Sequence, residues 1–134
     1  MSDVRNIINI DNSYNNIYRV NVFNEEYSMK HHIPEEVNVN PGENKSTGGM
    51  WIPWCDNQKS FDEGHRIDVT FIDILDKKTR IYIFQNGEYV YTLNDPHKYN
   101  NKKIINGDSK KGKGEYILEI KIEGKNPVLS LRKE

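Results

Sequence analysis

The sequence predicts an all-β protein: an antiparallel β-sandwich of about eight or nine short strands, with a small β-barrel as the alternative. The chain has no alanine and little leucine, the strongest helix formers, whereas β-branched residues and tyrosine are abundant. Several segments alternate apolar and polar residues, and Gly, Pro or Asn turns recur at intervals of roughly 8–12 residues. No long stretch has the periodicity of an amphipathic helix.

The predicted strands follow one another along a single domain, residues 1–134. The polar run 11–16 is expected to join the first two strands as an N-terminal hairpin. Asn86-Gly87 is the dipeptide most typical of a two-residue type I′ turn, so the strands on either side of it are expected to pair. Alternation and turn chemistry place the strands at 4–10, 17–23, 27–33, 36–39, 66–75, 80–85, 89–91, 116–122 and 128–131.

Three long segments remain outside these strands, at 40–50, 56–64 and 94–114. Loops on a rigid β-framework are where binding residues usually lie. We therefore expect any ligand to be recognised by these loops.

Composition argues against several classes of partner. With 19 Lys+Arg and 20 Asp+Glu the net charge is −1, so no overall field attracts nucleic acid or an anionic membrane, and a charged partner has to be recognised locally. The N-terminal residues lack the pattern of a signal peptide, and no apolar run is long enough to span a membrane. We expect a protein that is cytoplasmic on synthesis, with any release by a non-classical route. The single cysteine fits a reducing compartment.

The most distinctive segment is Trp51-Ile52-Pro53-Trp54-Cys55-Asp56, which holds both tryptophans, the only cysteine and one of the five prolines. Pro53 has no N–H to donate, so the segment is expected at a strand start, an edge or a bulge. We expect one indole in the core and the other at the rim, with Trp54 the preferred candidate for the rim. Cys55 is expected to be a small buried hydrophobe.

An exposed indole next to carboxylate and amide groups suits a sugar ring, whose C–H face stacks while its hydroxyls form hydrogen bonds. The sequence therefore predicts a non-enzymatic, lectin-like module that binds a glycan through the loops around residues 51–65. The candidate ligand-binding residues are Trp51, Trp54, Asp56, Asn57, Gln58 and His65.

An exposed tryptophan also suits a membrane interface, so a lipid headgroup is the alternative ligand. In outline, a small alanine-free β-protein with this aromatic segment resembles small lectins and the β-sandwich components of membrane-active toxins. Such a likeness concerns the fold and implies no role for any residue.

Two further hypotheses remain open. A small enzyme or metal protein would be centred on Cys55 and His65, with Asp56 or another histidine (His31, His32 or His97) nearby. No metal-ligand spacing such as C-x2-C or H-E-x-x-H is present, so neither metal nor cofactor is expected. In the other hypothesis, the last strand, with Val128, Leu129 and Leu131, pairs with a second copy at an open sheet edge to give a homodimer.

Overall fold

The computed structural model describes residues 5–14, 17–108, 114–124 and 126–133. Strands form 55% of the structure and helices 12%, which confirms the all-β class. In chain order the elements are β1 (Arg5–Asp11), β2 (Arg19–Asn24), α1 (Glu25–His31), β3 (Glu36–Val39), β4 (Asn44–Trp51), α2 (Gln58–Asp62), β5 (Ile67–Ile72), β6 (Lys78–Asn86), β7 (Tyr89–Leu93), a 3₁₀ turn (Tyr99–Asn101), β8 (Lys103–Ile104), β9 (Gly114–Glu123) and β10 (Asn126–Lys133).

The strands form two sheets. One has four strands in the order β10-β9-β1-β4, with β1 parallel to β9 and antiparallel to β4. The other has six strands in the order β3-β2-β5-β6-β7-β8, all antiparallel. The sheets are not closed into a barrel. The predicted sandwich is therefore confirmed, and the barrel alternative is wrong.

The main core is largely aliphatic and draws on both sheets. Ile81 and Ile83 of β6 belong to the same buried cluster as Ile7 of β1 and Leu118 of β9. Such a cluster forms because each sheet turns one row of alternating side chains toward the other sheet.

A second, aromatic cluster covers the outer face of the six-stranded sheet. Tyr82 and Phe84 alternate along β6 with the core isoleucines, so they point to the opposite face. There they pack with Phe61 of α2 and Tyr99 of the 3₁₀ turn. This cluster holds α2 and the 3₁₀ turn against the sheet.

The predicted N-terminal hairpin is wrong. β1 pairs with β4 and β9, whereas β2 pairs with β3 and β5 in the other sheet. The connection between them therefore crosses the sandwich. The buried amide of Asn12 donates from Nδ2 to the carbonyl oxygens of Tyr18 at 3.0 Å and Asn40 at 3.1 Å, which holds the crossing to the loop after β3.

The strand predicted over 27–33 is also wrong, because most of it is helix α1. The Oδ1 of Asn24 accepts the N–H of Tyr27 at 3.1 Å and caps the helix. Glu25 and Glu26 occupy the first turn and basic residues the last, which suits the helix dipole. His32 ends the helix in the left-handed region with φ 55. None of the helices described is long and apolar enough to cross a bilayer.

The predicted loop 40–50 is a strand over most of its length. β4 begins at Asn44 and pairs with β1, and the pairing register shifts between Ile7 and Asn9. Opposite that shift, Gly48 and Gly49 have φ +76 and +101. The polar residues and glycines of this segment resemble a loop in the sequence, but they form an edge strand that contains a bulge.

The hairpin between β6 and β7 is confirmed, with its turn one residue later than predicted. Asn86 pairs with Tyr89, so Gly87 and Glu88 form the two-residue loop. A positive φ occurs at Gly87 (+61) but not at Glu88, as in a type II′ turn.

The outer edge of β10 is partly occupied. The N–H of Leu131 donates to the carbonyl oxygen of Asn106 at 2.8 Å, and Asn106 forms an isolated parallel bridge with Ser130. Because Asn106 occupies part of this edge, fewer backbone groups of β10 are open to a second copy than the sequence suggested. The homodimer stays a prediction.

Candidate functional site

The tryptophan segment leaves β4 and joins the edge of β6. The N–H of Gln85 donates to the carbonyl oxygen of Pro53 at 2.7 Å, and the N–H of Cys55 donates to the carbonyl oxygen of Gln85 at 2.8 Å. Trp54 thereby forms an isolated parallel bridge with Gln85. Pro53 lies between β4 and α2, outside the named strands, and only its carbonyl oxygen takes part in this pairing, so its missing N–H interrupts no central strand.

The prediction of one buried and one exposed indole is wrong. Trp51 and Trp54 are both partly exposed, whereas Ile52 and Cys55 between and beside them are fully buried. The prediction that Cys55 is a small buried hydrophobe is therefore confirmed.

A cleft with a volume of about 570 Å³ lies at the end of this segment. Residues 56–58, which lead into α2, form one wall, and residues 97–101 form the other. Its wall contains Asp56, Asn57 and Gln58, three of the six residues predicted to bind ligand. Neither tryptophan nor His65 lines it. The opposite wall was not predicted and consists of His97, Lys98, Tyr99, Asn100 and Asn101.

Gln58 joins the two walls through its side-chain amide. Its Nε2 donates to the carbonyl oxygen of Pro96 at 2.8 Å and to Oδ1 of Asp62 at 2.9 Å, and its Oε1 accepts the N–H of Tyr99 at 2.8 Å. Asn57 caps α2 by accepting the N–H of Ser60 at 2.8 Å. Gln58 and Asn57 therefore shape the cleft by bonds within the protein.

Most other groups in the cleft face solvent. Asp56, His97, Lys98, Asn100 and Asn101 are all exposed. They present a carboxylate, an imidazole, an ammonium group and two amides, which together offer both donors and acceptors. This is the chemistry that binds a hydrophilic ligand.

Tyr99 forms the buried base of the cleft. Its ring stacks on Phe84 with centroids 5.2 Å apart, and the ammonium of Lys102 lies 4.4 Å from its centroid. Its hydroxyl donates to the carbonyl oxygen of Cys55 at 2.6 Å and accepts from Asn86 at 2.8 Å. Burial raises the pKa of Tyr99 to about 12, so the phenol stays neutral.

A second polar cleft of about 500 Å³ adjoins the first and shares Asn100 and Asn101 with it. We call the two clefts together the polar groove. The remaining residues of the second cleft are Thr92, Asn94, Asp95, Lys102 and Lys103.

His65 contacts a different part of the molecule. Its Nδ1 contacts Oε1 of Glu26, a buried residue of α1 whose other carboxylate oxygen lies 3.7 Å from Nζ of Lys30. The contact joins α1 to the segment before β5. His65 thus contacts α1 and does not line the cleft beside Asp56.

The residues of the enzymatic hypothesis do not form a nucleophile–base pair in the described structure. The Sγ of Cys55 donates to the carbonyl oxygen of Asn57 at 3.6 Å, while the imidazole of His65 contacts Glu26. Burial raises the pKa of the Cys55 thiol to about 11, so it stays protonated at neutral pH. Within the described residues, no three His, Cys, Asp or Glu side chains are grouped to hold a metal ion.

The sequence held one signal for the missed wall of the cleft. Tyr99 is an aromatic residue in an otherwise polar run, and such a residue commonly anchors a loop on an apolar surface.

Comparison of the chain with protein families, with curated proteins and with solved structures finds no match.

Proposed function

We propose that the protein is a non-enzymatic carbohydrate-binding module and that a glycan occupies the polar groove. The observation that carries this proposal is the pair of adjoining clefts, about 570 and 500 Å³, which share Asn100 and Asn101. Their volumes fall in the range of small-ligand sites. Most small-ligand sites are lined mainly by apolar side chains, whereas these clefts are lined mainly by polar and charged ones.

The groups in the groove match the chemistry of sugar hydroxyls. A hydroxyl both donates and accepts, so it is best satisfied by an amide or by a carboxylate next to a cation. Asn100 and Asn101 supply the amides at the junction of the clefts, and Asp56 and Lys98 supply the charges on either wall. Two adjoining clefts favour an oligosaccharide over a single ring.

The framework favours binding without large rearrangement. Gln58 connects both walls, and the ring of Tyr99 is fixed by stacking on Phe84. A groove that is already ordered loses little conformational entropy when the ligand binds. The tryptophans lie outside the lining, so hydrogen bonds rather than indole stacking provide most of the recognition.

A lipid headgroup at the tryptophan segment remains the alternative, because Trp51 and Trp54 are both partly exposed. The fluorescence of the two indoles separates the alternatives. Anionic or zwitterionic vesicles shift it to shorter wavelength if the indoles enter the bilayer, and leave it unchanged if the ligand is a glycan in the groove.

The proposal is tested by screening the purified protein on a glycan array and measuring the best ligand by calorimetry. We expect Asp56→Ala and Asn101→Ala each to weaken binding about tenfold, since each removes hydrogen bonds to a bound hydroxyl. Asn44→Ala is the matched control, because Asn44 is also exposed but lies on β4 in the other sheet. An array without ligands, or a ligand that both groove variants bind as the wild type does, would contradict the proposal.

A further inference from the structure

One end of the sandwich carries exposed apolar side chains that the polar groove does not use. Ile74 and Leu75, in the turn between β5 and β6, are 86% and 83% exposed. Tyr14 and Ile17, in the connection between β1 and β2, are 60% and 51% exposed. We call these four residues the apolar tip. They make up half of the large apolar residues that are exposed in the described structure.

Strand register brings the two connections to the same end. Arg19 pairs with Ile72, and Ile72 pairs with Lys78, so residue 17 lies just beyond the last pair, beside the turn 73–77. The guanidinium of Arg19 lies 3.6 Å from Oδ1 of Asp76 in that turn. Near the other end of β6, Gln85 lies seven residues from Lys78, or about 23 Å along the strand, and the segment leading to the groove is attached there.

The turn that presents Ile74 and Leu75 is fixed by Asp73. The Oδ1 of Asp73 accepts the N–H groups of Leu75 at 2.8 Å and Lys77 at 2.9 Å. Its backbone N–H donates to the carbonyl oxygen of Lys77 at 3.1 Å, and its carbonyl oxygen accepts the N–H of Asp76 at 3.0 Å. Four amide groups are thus satisfied within the turn. Because these four N–H groups already have acceptors, moving the turn out of water costs less than it would for an open loop.

Cations surround the apolar tip. Lys77 and Lys78, both exposed, follow Leu75 after the intervening Asp76, and the ammonium of Lys121 lies 5.4 Å from the centroid of the Tyr14 ring. The two carboxylates of the turn also have partners. That of Asp73 accepts backbone N–H groups, and that of Asp76 lies beside the guanidinium of Arg19. Aliphatic and tyrosine side chains next to lysines are the composition that suits the interface of a bilayer.

We propose that the apolar tip inserts into the interface of a bilayer that contains anionic lipid, with Lys77 and Lys78 at the level of the phosphates. A projecting turn with two aliphatic side chains offers too little area for a stable protein interface, which needs about 1,000 Å² or more. The same turn can enter a fluid interface, where apolar burial and the attraction of each lysine to anionic lipid add together.

The test is co-sedimentation of the full chain with phosphatidylcholine vesicles with and without about one-third phosphatidylserine. We expect binding to the anionic vesicles that weakens at high salt. Ile74→Ser with Leu75→Ser is expected to weaken binding about tenfold or more, and Lys77→Gln with Lys78→Gln by a similar factor. The lysine variant keeps the test valid if the serine variant fails to fold.

Ile33→Ser is the matched control, because Ile33 is 62% exposed but follows α1, outside the apolar tip. It is expected to bind vesicles as the wild type does. Absence of wild-type binding, equal binding to vesicles without phosphatidylserine, or wild-type binding by both tip variants would overturn the proposal. The first result would leave a protein partner as the occupant of the apolar tip.

Discussion

The Nε of Arg5 donates to Oδ1 of Asp108 at 2.9 Å, and neither side chain is exposed to solvent. The second carboxylate oxygen of Asp108 accepts the N–H of Val90 at 2.7 Å, and the guanidinium also donates to the carbonyl oxygen of Glu88. This buried pair connects the first strand of one sheet to the β6–β7 hairpin of the other, across 103 positions in sequence.

Removing the carboxylate of this pair is expected to be strongly destabilising. Asp108→Ala removes a buried carboxylate that contacts the buried guanidinium of Arg5, which should lower the free energy of unfolding by about 3–5 kcal/mol. Urea denaturation measures this. Asp56→Ala removes an exposed carboxylate and should change stability by about 0.5 kcal/mol or less. Equal urea midpoints for the two variants would show that the pair does not hold the sheets together.

Gly107 is expected to tolerate no side chain. Its φ is +88, and a Cβ atom there would lie 1.9 Å from the backbone oxygen of Leu131 in β10. Gly87 has a similar φ, +61, but open space around a Cβ. Gly87→Ala should therefore cost about 1 kcal/mol through backbone strain alone, and Gly107→Ala about 1–3 kcal/mol more through displacement of β10. Thermal unfolding of both variants measures the difference, and equal losses would contradict this packing.

Gln58 is expected to order the wall of the cleft. Gln58→Ala removes its bonds to Pro96, Tyr99 and Asp62, so we expect a loss of about 1–2 kcal/mol in stability and faster amide hydrogen exchange in residues 96–101. Lys59→Ala, at an exposed position of the same helix, is the control. Unchanged exchange in 96–101 would rule out this role for Gln58.

Stability is expected to fall at alkaline pH. Burial raises the pKa of Cys55 from 9.0 to about 11 and that of Tyr99 from 10.0 to about 12. Above about pH 9 the unfolded chain loses protons that the native state keeps, so the free energy of unfolding decreases as pH rises toward 12. Below pH 9 this contribution is fully present.

Urea denaturation at intervals between about pH 8 and 11 tests this dependence. Cys55→Ala removes the thiol, so its stability should decline less steeply from pH 9 than that of the wild type. Parallel curves for the two proteins would show that the thiol has no raised pKa.

The sequence predicted the strands whose local signals agree with their environment. β6 and β7 were found because alternating apolar residues flank a turn dipeptide, and the register needed only a one-residue correction at Gly87. Partner choice was not predictable in the same way. The parallel pairing of β1 with β9 joins segments more than one hundred residues apart, and no local turn specifies it.

Local signals also competed in α1. The spacing of Tyr27, Met29 and Ile33 resembles a strand, but the Asn24 cap and the charges at both ends favour a helix. In the candidate site, Asp56, Asn57 and Gln58 were predicted because they follow an aromatic segment. Their partners in 97–101 were missed because a polar loop carries no period, and only the packing of Tyr99 on Phe84 brings it there.

The most direct test of the polar groove is a two-dimensional amide NMR titration of the ¹⁵N-labelled protein with the best ligand from the glycan array. We expect the largest chemical-shift changes in residues 56–58 and 97–101 and in the side-chain amides of Asn100 and Asn101, with little change in the turn 73–77. Shifts confined to other residues, or none at saturating ligand, would contradict the assignment of the groove as a glycan site.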